Sequence, residues 1–459
     1  MKWLRAAAAM IAVALSFVWY FDEPLRTTPG FFIDESSIAY NASSIARTGA
    51  DEHGVRLPVF FEAFGEYKNP VYIYVLAGVF KFVGPGILAA RALSIALGFL
   101  AAICLSFLVR GMTARAFTFL AAIATPWLFE TSRLVFEVAA FPLALGIALL
   151  CVLALSRREE SLPLLVACAA SLALVTYTYT AGRLLGPLLA LGLALVVPFR
   201  RAVIAWIVYA VLLIPALLNF DALTARLSEV GLAKNFDYLA SFTPRFLFIE
   251  GDANPRHHIA YGGMLLATVA LAALAGLVVT IRAARNDRWS RYLLFAFVIA
   301  PLPGALAPEA PHALRLIAVA VVTVIFAGIG VEAMLEVRRD ALRFALTAAL
   351  FLALAAEGLA FRAKHDELGP LRVDDFDAGY PYAFTAALRM QKPPIGVEDS
   401  PYYIHAWWYG ALHGIDRTQL PRFVEGTEPR GRVCVGSAPV CGACRVVVDV
   451  RGFVAYRRE

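Results

Sequence analysis

The stretch Trp3-Leu-Arg-Ala-Ala-Ala-Ala-Met-Ile-Ala-Val-Ala-Leu-Ser-Phe-Val-Trp-Tyr-Phe21 is apolar apart from Arg5, and Asp34-Glu35 follows it about a dozen residues later. A helix of roughly 20 mostly apolar residues crosses a bilayer, and Lys2 and Arg5 ahead of it favour a cytoplasmic N-terminus. A signal peptide starts in the same way. Here bulky Phe17, Val18, Trp19 and Tyr20 stand where a cleavage site needs small residues. The run reads as an uncleaved anchor, which places Asp34 and Glu35 on the outer side.

The rest of the chain agrees with that start. Of 459 residues 60% are hydrophobic and 17% charged, against about 45–50% and about 25% in ordinary soluble proteins. Mean hydropathy is +0.69. One soluble core cannot hide this much apolar surface. The composition excludes a water-soluble enzyme, a disordered chain and a disulfide scaffold, and predicts an α-helical polytopic membrane protein. Ten further apolar runs, at about 87–109, 116–132, 134–155, 162–178, 184–199, 202–219, 261–281, 292–307, 315–335 and 343–361, bring the expected spans to about eleven. Val71–Val83 is shorter and interrupted by Lys81, so it reads as interfacial or re-entrant.

With that segment left out, Arg110/Arg115, Arg157/Arg158, Arg200/Arg201, Arg282/Arg285/Arg288/Arg291 and Arg338/Arg339/Arg343 all fall on the side of Lys2 and Arg5. This is the positive-inside pattern of a multi-pass membrane protein. It accounts for the net charge of +6 without a nucleic-acid partner. The outer side then holds a long first loop (22–86), a second (220–260), a third (300–314) and a tail (362–459) following a membrane domain (1–361). The tail opens with Asp374, Asp375 and Asp377. It ends in the alternations Arg432-Val-Cys-Val and Arg445-Val-Val-Val-Asp-Val, a strand pattern, so a small periplasmic α/β domain is expected. Cys434, Cys441 and Cys444 lie in it, where one disulfide can persist, and the sequence does not choose the pair.

The unusual polar residues gather on the outer connections. Asp34, Glu35, Glu62, Glu66 and Lys68 belong to the first loop, Arg133 and Glu137 to a turn, and Tyr177, Tyr179 and Arg183 to the next. Asp252, Arg256, His257 and His258 lie in the long loop, and His312 and Arg315 in the last. Each has an ordinary reading. Asp-Glu suits a helix N-terminus, Arg133 and Glu137 a helical i,i+4 pair, and outer tyrosines an interfacial belt. Adjacent histidines rarely share one metal ion. Together, though, they describe a polar cleft built from loops on a rigid bundle.

Arg315 is the hardest to explain without a ligand. It opposes both the positive-inside bias and the acid preference of helix N-termini, and an anion would account for it. A polyprenyl phosphate keeps its tail in the bilayer while its headgroup meets Lys68, Arg183, Arg256, His257, His258, His312 and Arg315. If that phosphate carries a sugar, it gains charge as the glycosidic bond breaks. Cations there favour the transition state over the ground state. Phosphate leaves without a strong general acid, whereas an acceptor hydroxyl needs a base, which Asp34 or Glu35 can supply.

The order of elements, with Phe31-Phe-Ile-Asp-Glu-Ser-Ser-Ile-Ala-Tyr40, Ile45-Ala-Arg-Thr-Gly49 and Phe64-Gly-Glu-Tyr-Lys-Asn-Pro-Val-Tyr72, resembles the membrane glycosyltransferases of the GT-C class. The likeness is greatest to the protein O-mannosyltransferase and lipid A aminoarabinose transferase branch, over residues 1–140. It implies that Asp34 is the catalytic acid and Glu35 its neighbour, and that Glu66 and Lys68 form the later acidic-basic pair. Asn69 departs from the family by separating Lys68 from Pro70. Thr131-Ser-Arg133, Arg183-Leu-Leu, Asn254-Pro-Arg-His-His258 and Pro311-His-Ala-Leu-Arg315 look like patterns of bacterial members.

The resemblance implies an inverting transferase that uses a polyprenyl-phosphate sugar and a protein, glycan or lipid acceptor. In this reading Asp34, Glu35 and Glu66 act on hydroxyls. Tyr177, Tyr179, Arg133 and Glu137 contact sugar or acceptor. No cofactor is required, and a divalent metal is compatible with the residues present. The rival is a lipid-linked-sugar flippase, for which Pro126, Pro142, Pro187 and Pro215 supply helix breaks.

Overall fold

The computed structural model describes residues 13–21, 25–230, 236–308, 311–424, 427, 429, 431–437 and 444–458. Residues 13–21 of the first apolar run are helical, and the earlier part of that run lies outside the described residues. Ile87–Ser106, Glu137–Arg157, Ile317–Met334 and Asp340–Leu371 are long and apolar enough to cross a membrane, while Met112–Ala124, Leu162–Thr178, Thr180–Leu195 and Ala267–Ala283 are apolar but shorter. Their outward faces carry Leu100, Leu174, Leu271, Leu274, Phe344 and Leu352, all exposed. A contiguous apolar exterior of this kind needs a non-aqueous neighbour.

Proline explains why several apolar runs are shorter as helices than as sequence. The residue before proline is driven out of helical geometry, and Thr125 before Pro126 is extended. The run at 116–132 therefore divides into Met112–Ala124 and Pro126–Thr131. The runs at 202–219 and 292–307 also divide, into Phe199–Leu212 with Ile214–Leu217 and Arg288–Ile299 with Leu302–Ala305, but there Leu213 and Ala300 stay in αR geometry and the missing N–H of Pro215 and Pro301 interrupts the helical ladder. Ala267–Ala283 and Ile317–Met334 pack backbone to backbone. A Cβ on Gly276 would overlap the Phe326 carbonyl, and one on Gly330 the Ala272 carbonyl. Small residues at such a crossing let dispersion contacts hold helices together where no water drives them.

The first loop builds the platform for the site. Helix Ile33–Thr48 starts after extended Phe32, whose N–H donates to the Glu35 carboxylate in a capping arrangement, and stops at left-handed Gly49. A two-residue hairpin then joins β1 (Phe61–Ala63) to β2 (Glu66–Lys68). Its turn residues Phe64 and Gly65 both have positive φ, the geometry that fits strand twist. Pro70 opens helix Pro70–Val83, which buries Tyr72, Ile73, Leu76 and Phe80. It is short, as the sequence indicates.

The tail forms the expected α/β unit. Strands β3 (Gly396–Glu398), β4 (Arg422–Phe423), β5 (Val433–Gly436), β6 (Cys444–Val450) and β7 (Phe453–Arg458) make one sheet in the order β4-β3-β5-β7-β6. β3 lies parallel to β4 and β5, and β7 is antiparallel to β5 and β6. Helices Tyr380–Met390 and Tyr403–Leu412 complete it. Cys444 is disulfide-bonded, and Cys441 lies outside the described residues.

The tail shares a core with the first loop. Trp408 is fully buried, stacked between Phe31 at 5.6 Å and Phe80 at 5.9 Å. An aromatic of this size removes roughly 150–250 Å² from water, worth about 4–6 kcal/mol at about 25 cal/mol per Å². The aromatic run Tyr402–Tyr409 thus packs the tail onto helix Ile33–Thr48, with Tyr403, Ile404, His405, Ala406, Trp408 and Tyr409 buried.

Candidate active site

Helical rotation separates the two adjacent acids. Successive residues turn by about 100° around the axis, so Asp34 and Glu35 cannot serve one ligand from one face. The Asp34 side chain is 27% exposed, and its carboxylate accepts a hydrogen bond from Lys68 Nζ at 2.6 Å. Lys68, at the end of β2, is buried over the rings of Phe64 and Phe136, with Glu66 at 3.7 Å. The next residue, Asn69, donates its N–H to the Glu137 carboxylate. Asp34, Glu66, Lys68 and Glu137 therefore form one connected acidic-basic group.

Glu35 instead points inward. Its carboxylate takes two hydrogen bonds from Arg91, one of them 2.8 Å, and others from the N–H groups of Val135 at 2.8 Å and Phe32 at 3.2 Å. Neither Glu35 nor Arg91 meets solvent. The structure thus gives Glu35 the work of tying helix Ile33–Thr48 to helix Ile87–Ser106, rather than a place in the cleft. Sequence reasoning missed Arg91, although a lone cation inside the apolar run at 87–109 is itself a sign of a buried partner.

Three other predicted ligand contacts are also engaged with protein. Arg183 donates to Asn69 Oδ1 and to the carbonyls of Tyr67, Ala222 and Leu223, at 2.8–3.1 Å. Tyr177 bridges Leu212 O and Ala216 N. Arg133 bonds Ser132 and the Tyr20 carbonyl and lies over the Phe129 ring. It makes no i,i+4 pair with Glu137, because the helix ends at Thr131 and a new short one begins at Glu137.

The cationic half comes from the two later loops. Asp252 Oδ2 accepts from His257 Nδ1 at 3.2 Å and from Ala313 N at 2.6 Å, which sews those loops together. Burial works against its charge, but the hydrogen bond and charge of His257 outweigh that and hold its pKa down to about 2. The His312 ring lies 5.0 Å from that of His257, and burial followed by the His257 charge pushes its pKa down to about 3. Arg256 lies over Phe32 and donates to the Asp375 carbonyl. His258 Nε2, His312 Nδ1 and Arg315 Nη1 are all buried without a hydrogen-bond partner among the described residues. Other buried side-chain atoms share that condition, Asn69 Nδ2, Arg91 Nε and Trp408 Nε1 among them; what sets these three nitrogens apart is that they lie on the two loops that Asp252 joins.

Tyr179 is buried beside Phe136 and Phe141, within electrostatic reach of both halves. Its buried phenol, whose pKa burial raises, is influenced most by Arg315 among the charges, and then by Glu137, Asp34 and Asp252. A second buried network, not foreseen from the sequence, backs the site. Glu130 pairs with Arg372 at 3.2 Å and lies 3.5 Å from His365, and Arg372 also donates to the carbonyls of Thr27 and Pro255. Its members lie up to 345 residues apart, so no local spacing could have shown it.

Asp252, His257 and His312 each offer a ligand atom, all within 4.8 Å of one another. Two nitrogens and a carboxylate suit a divalent ion such as zinc. Asp252 Oδ2 already accepts two hydrogen bonds, so the three residues also hold the loops together without one.

No family model matches the sequence, and no curated protein matches it closely. Solved structures do. ArnT from Cupriavidus metallidurans bound to undecaprenyl phosphate superposes with a TM-score of 0.61 at 14% identity, over 99% of this chain and 98% of that one. Its apo state gives 0.65 over the same shares. The Archaeoglobus fulgidus oligosaccharyltransferase AglB, in complex with an inhibitory peptide and a dolichol-phosphate, gives 0.54 at 13% identity, over 91% of this chain and 65% of that one. The chain therefore shares the fold of ArnT and AglB.

Proposed function

We propose that the protein is an inverting glycosyltransferase that moves a sugar from a polyprenyl-phosphate donor to an acceptor hydroxyl at the outer face of the inner membrane. The observation that carries this reading is the pairing of two unlike half-sites within electrostatic reach of Tyr179. On one side Asp34 is held at the cleft by Lys68, and on the other Arg315 has a buried guanidinium nitrogen without a partner among the described residues. The bound lipid phosphates of the ArnT and AglB structures support the same class of ligand.

Each group then has a role. Arg315, His258 and His312 hold the donor phosphate, with Arg256 and His257 shaping the loops around it. Asp34 takes the proton of the acceptor hydroxyl as its oxygen attacks the anomeric carbon from the face opposite the phosphate. The bond from that carbon to the phosphate oxygen breaks, and the charge gained by the phosphate falls beside Arg315. A cation already in place lowers that barrier without reorganising. Lys68 orients Asp34, Glu66 and Glu137 keep Lys68 in position, and Tyr179 lines the space where the sugar sits. The N-terminus is cytoplasmic, and the tail, as a domain spanning 362–459, lies in the periplasm.

The test is single-turnover transfer from a radiolabelled polyprenyl-phosphate sugar to a crude envelope acceptor, using purified protein. Label should move to a new product. If the donor binds and crosses vesicle membranes while no label is ever transferred, the protein is a carrier and the transferase reading fails.

A further inference from the structure

The first turn of helix Ile33–Thr48 is held by the tail through a chain of three side chains. His405 Nε2 lies 3.1 Å from Asp377 Oδ2, and His405 Nδ1 lies 2.7 Å from Ser36 Oγ. The same Asp377 oxygen accepts the Ile33 N–H at 3.0 Å, and Phe376 O accepts the Phe31 N–H at 2.8 Å. Asp377 adopts a left-handed backbone with φ +47, a conformation that side chains other than glycine enter at some cost. Ser36 and His405 have no exposed surface. Ser, His and Asp in this order serve nucleophilic catalysis elsewhere. Here Ser36 lies inside a helix and is sealed from any substrate, so the chain has a mechanical use.

That use follows from where Asp34 sits. It lies one residue from Ile33 and two from Ser36, so both anchors of the chain bracket the carboxylate. With Asp377 ionised, Nε2–H donates to it and Nδ1 accepts the Ser36 hydroxyl, which fixes the helix in rotation as well as along its axis. We propose that His405 is a positioning residue: through Asp377 and Ser36 the C-terminal domain sets the Asp34 carboxylate in the cleft. This rests on the reading of Asp34 as the base in transfer. It makes the His405 chain a requirement for turnover and not for donor binding, since the tail meets the cationic half through Asp375 and Arg372 and not through His405.

The test uses the full-length protein with His405→Ala. The expected result is a fall in kcat of roughly 10–100-fold, the order of loss that a misplacement of about 1 Å brings. The KM for donor should stay within about twofold, and the amides of residues 33–37 should exchange about tenfold faster with deuterium. His405→Gln, which still reaches Asp377, should recover part of both losses. Trp408→Phe loosens the same packed interface without touching the chain and should leave amide exchange at 33–37 nearly unchanged. Wild-type kcat and exchange in His405→Ala overturn the proposal, as does an equal loss in Trp408→Phe. If the wild-type protein transfers no sugar, the transferase reading falls by itself, and amide exchange still decides whether His405 holds the helix.

Discussion

The acidic and cationic halves of the cleft differ in whether their charged groups are paired. Around Asp34 each carboxylate has a partner, Lys68 for Asp34, the Asn69 N–H for Glu137 and Arg91 for Glu35, although Asn69 Nδ2 and Arg91 Nε have none among the described residues. Around Arg315 three buried nitrogens on His258, His312 and Arg315 have none among the described residues. A paired carboxylate is preorganised and needs no ligand to hold its place. An unsatisfied half costs about 1–3 kcal/mol for each such group and recovers that cost when an anion arrives. The first half suits chemistry and the second suits binding.

That division can be broken first at Asp34. In Asp34→Asn the hydroxyl loses its base, and single-turnover transfer should fall by roughly 10²–10⁴-fold while undecaprenyl phosphate binds as before. Full turnover in this variant would remove Asp34 from the chemistry. The neighbouring change has a different signature. Glu35→Gln leaves Arg91 charged and buried without a counterion, and breaking such a pair costs about 3–5 kcal/mol. Its thermal melting in detergent should drop well below that of Asp34→Asn, in which Lys68 keeps Glu66 at 3.7 Å. Equal melting of the two variants would mean that the acids share one role.

The cationic half answers to Arg315→Ala. Hydrogen bonds to charged groups contribute about 1.5–3 kcal/mol, so undecaprenyl phosphate should bind roughly 10–100-fold more weakly. The melting temperature without ligand should hold or rise, because an unsatisfied buried group has been removed. Unchanged affinity would assign the phosphate to another part of the molecule.

How much of this the sequence reveals depends on the range of the interactions. Apolar runs are local and long, so the helices fall where composition puts them, and the strands around Val433–Val435 and Val446–Val448 follow from alternation. Helix ends are less legible, because Thr125-Pro126 and Pro301-Leu-Pro303 interrupt runs that hydropathy alone reads as continuous. Within the site, Asp34 and Lys68 could be related because one loop carries both. Glu35 could not be told from Asp34, since its partner Arg91 lies 56 residues away on another helix. The same holds for His405, which looks like one more member of an aromatic run until Ser36 appears beside it, 369 residues away.

Two nearby tyrosines give the smallest and most selective test. Tyr177 and Tyr179 look equivalent in sequence, both polar-tipped aromatics at one outer turn. The hydroxyl of Tyr177 is spent on Leu212 O and Ala216 N, where the helix at Phe199–Leu212 gives way to Ile214–Leu217. Tyr177→Phe should therefore cost about 1 kcal/mol of stability per lost bond and leave kcat and donor KM within about twofold. Tyr179 is influenced by charges from both halves of the cleft, and Tyr179→Phe should change transfer while melting stays near wild type. If Tyr177→Phe alone impairs transfer, sugar contact belongs to the lip of the cleft, and the division drawn at Tyr179 is in the wrong place.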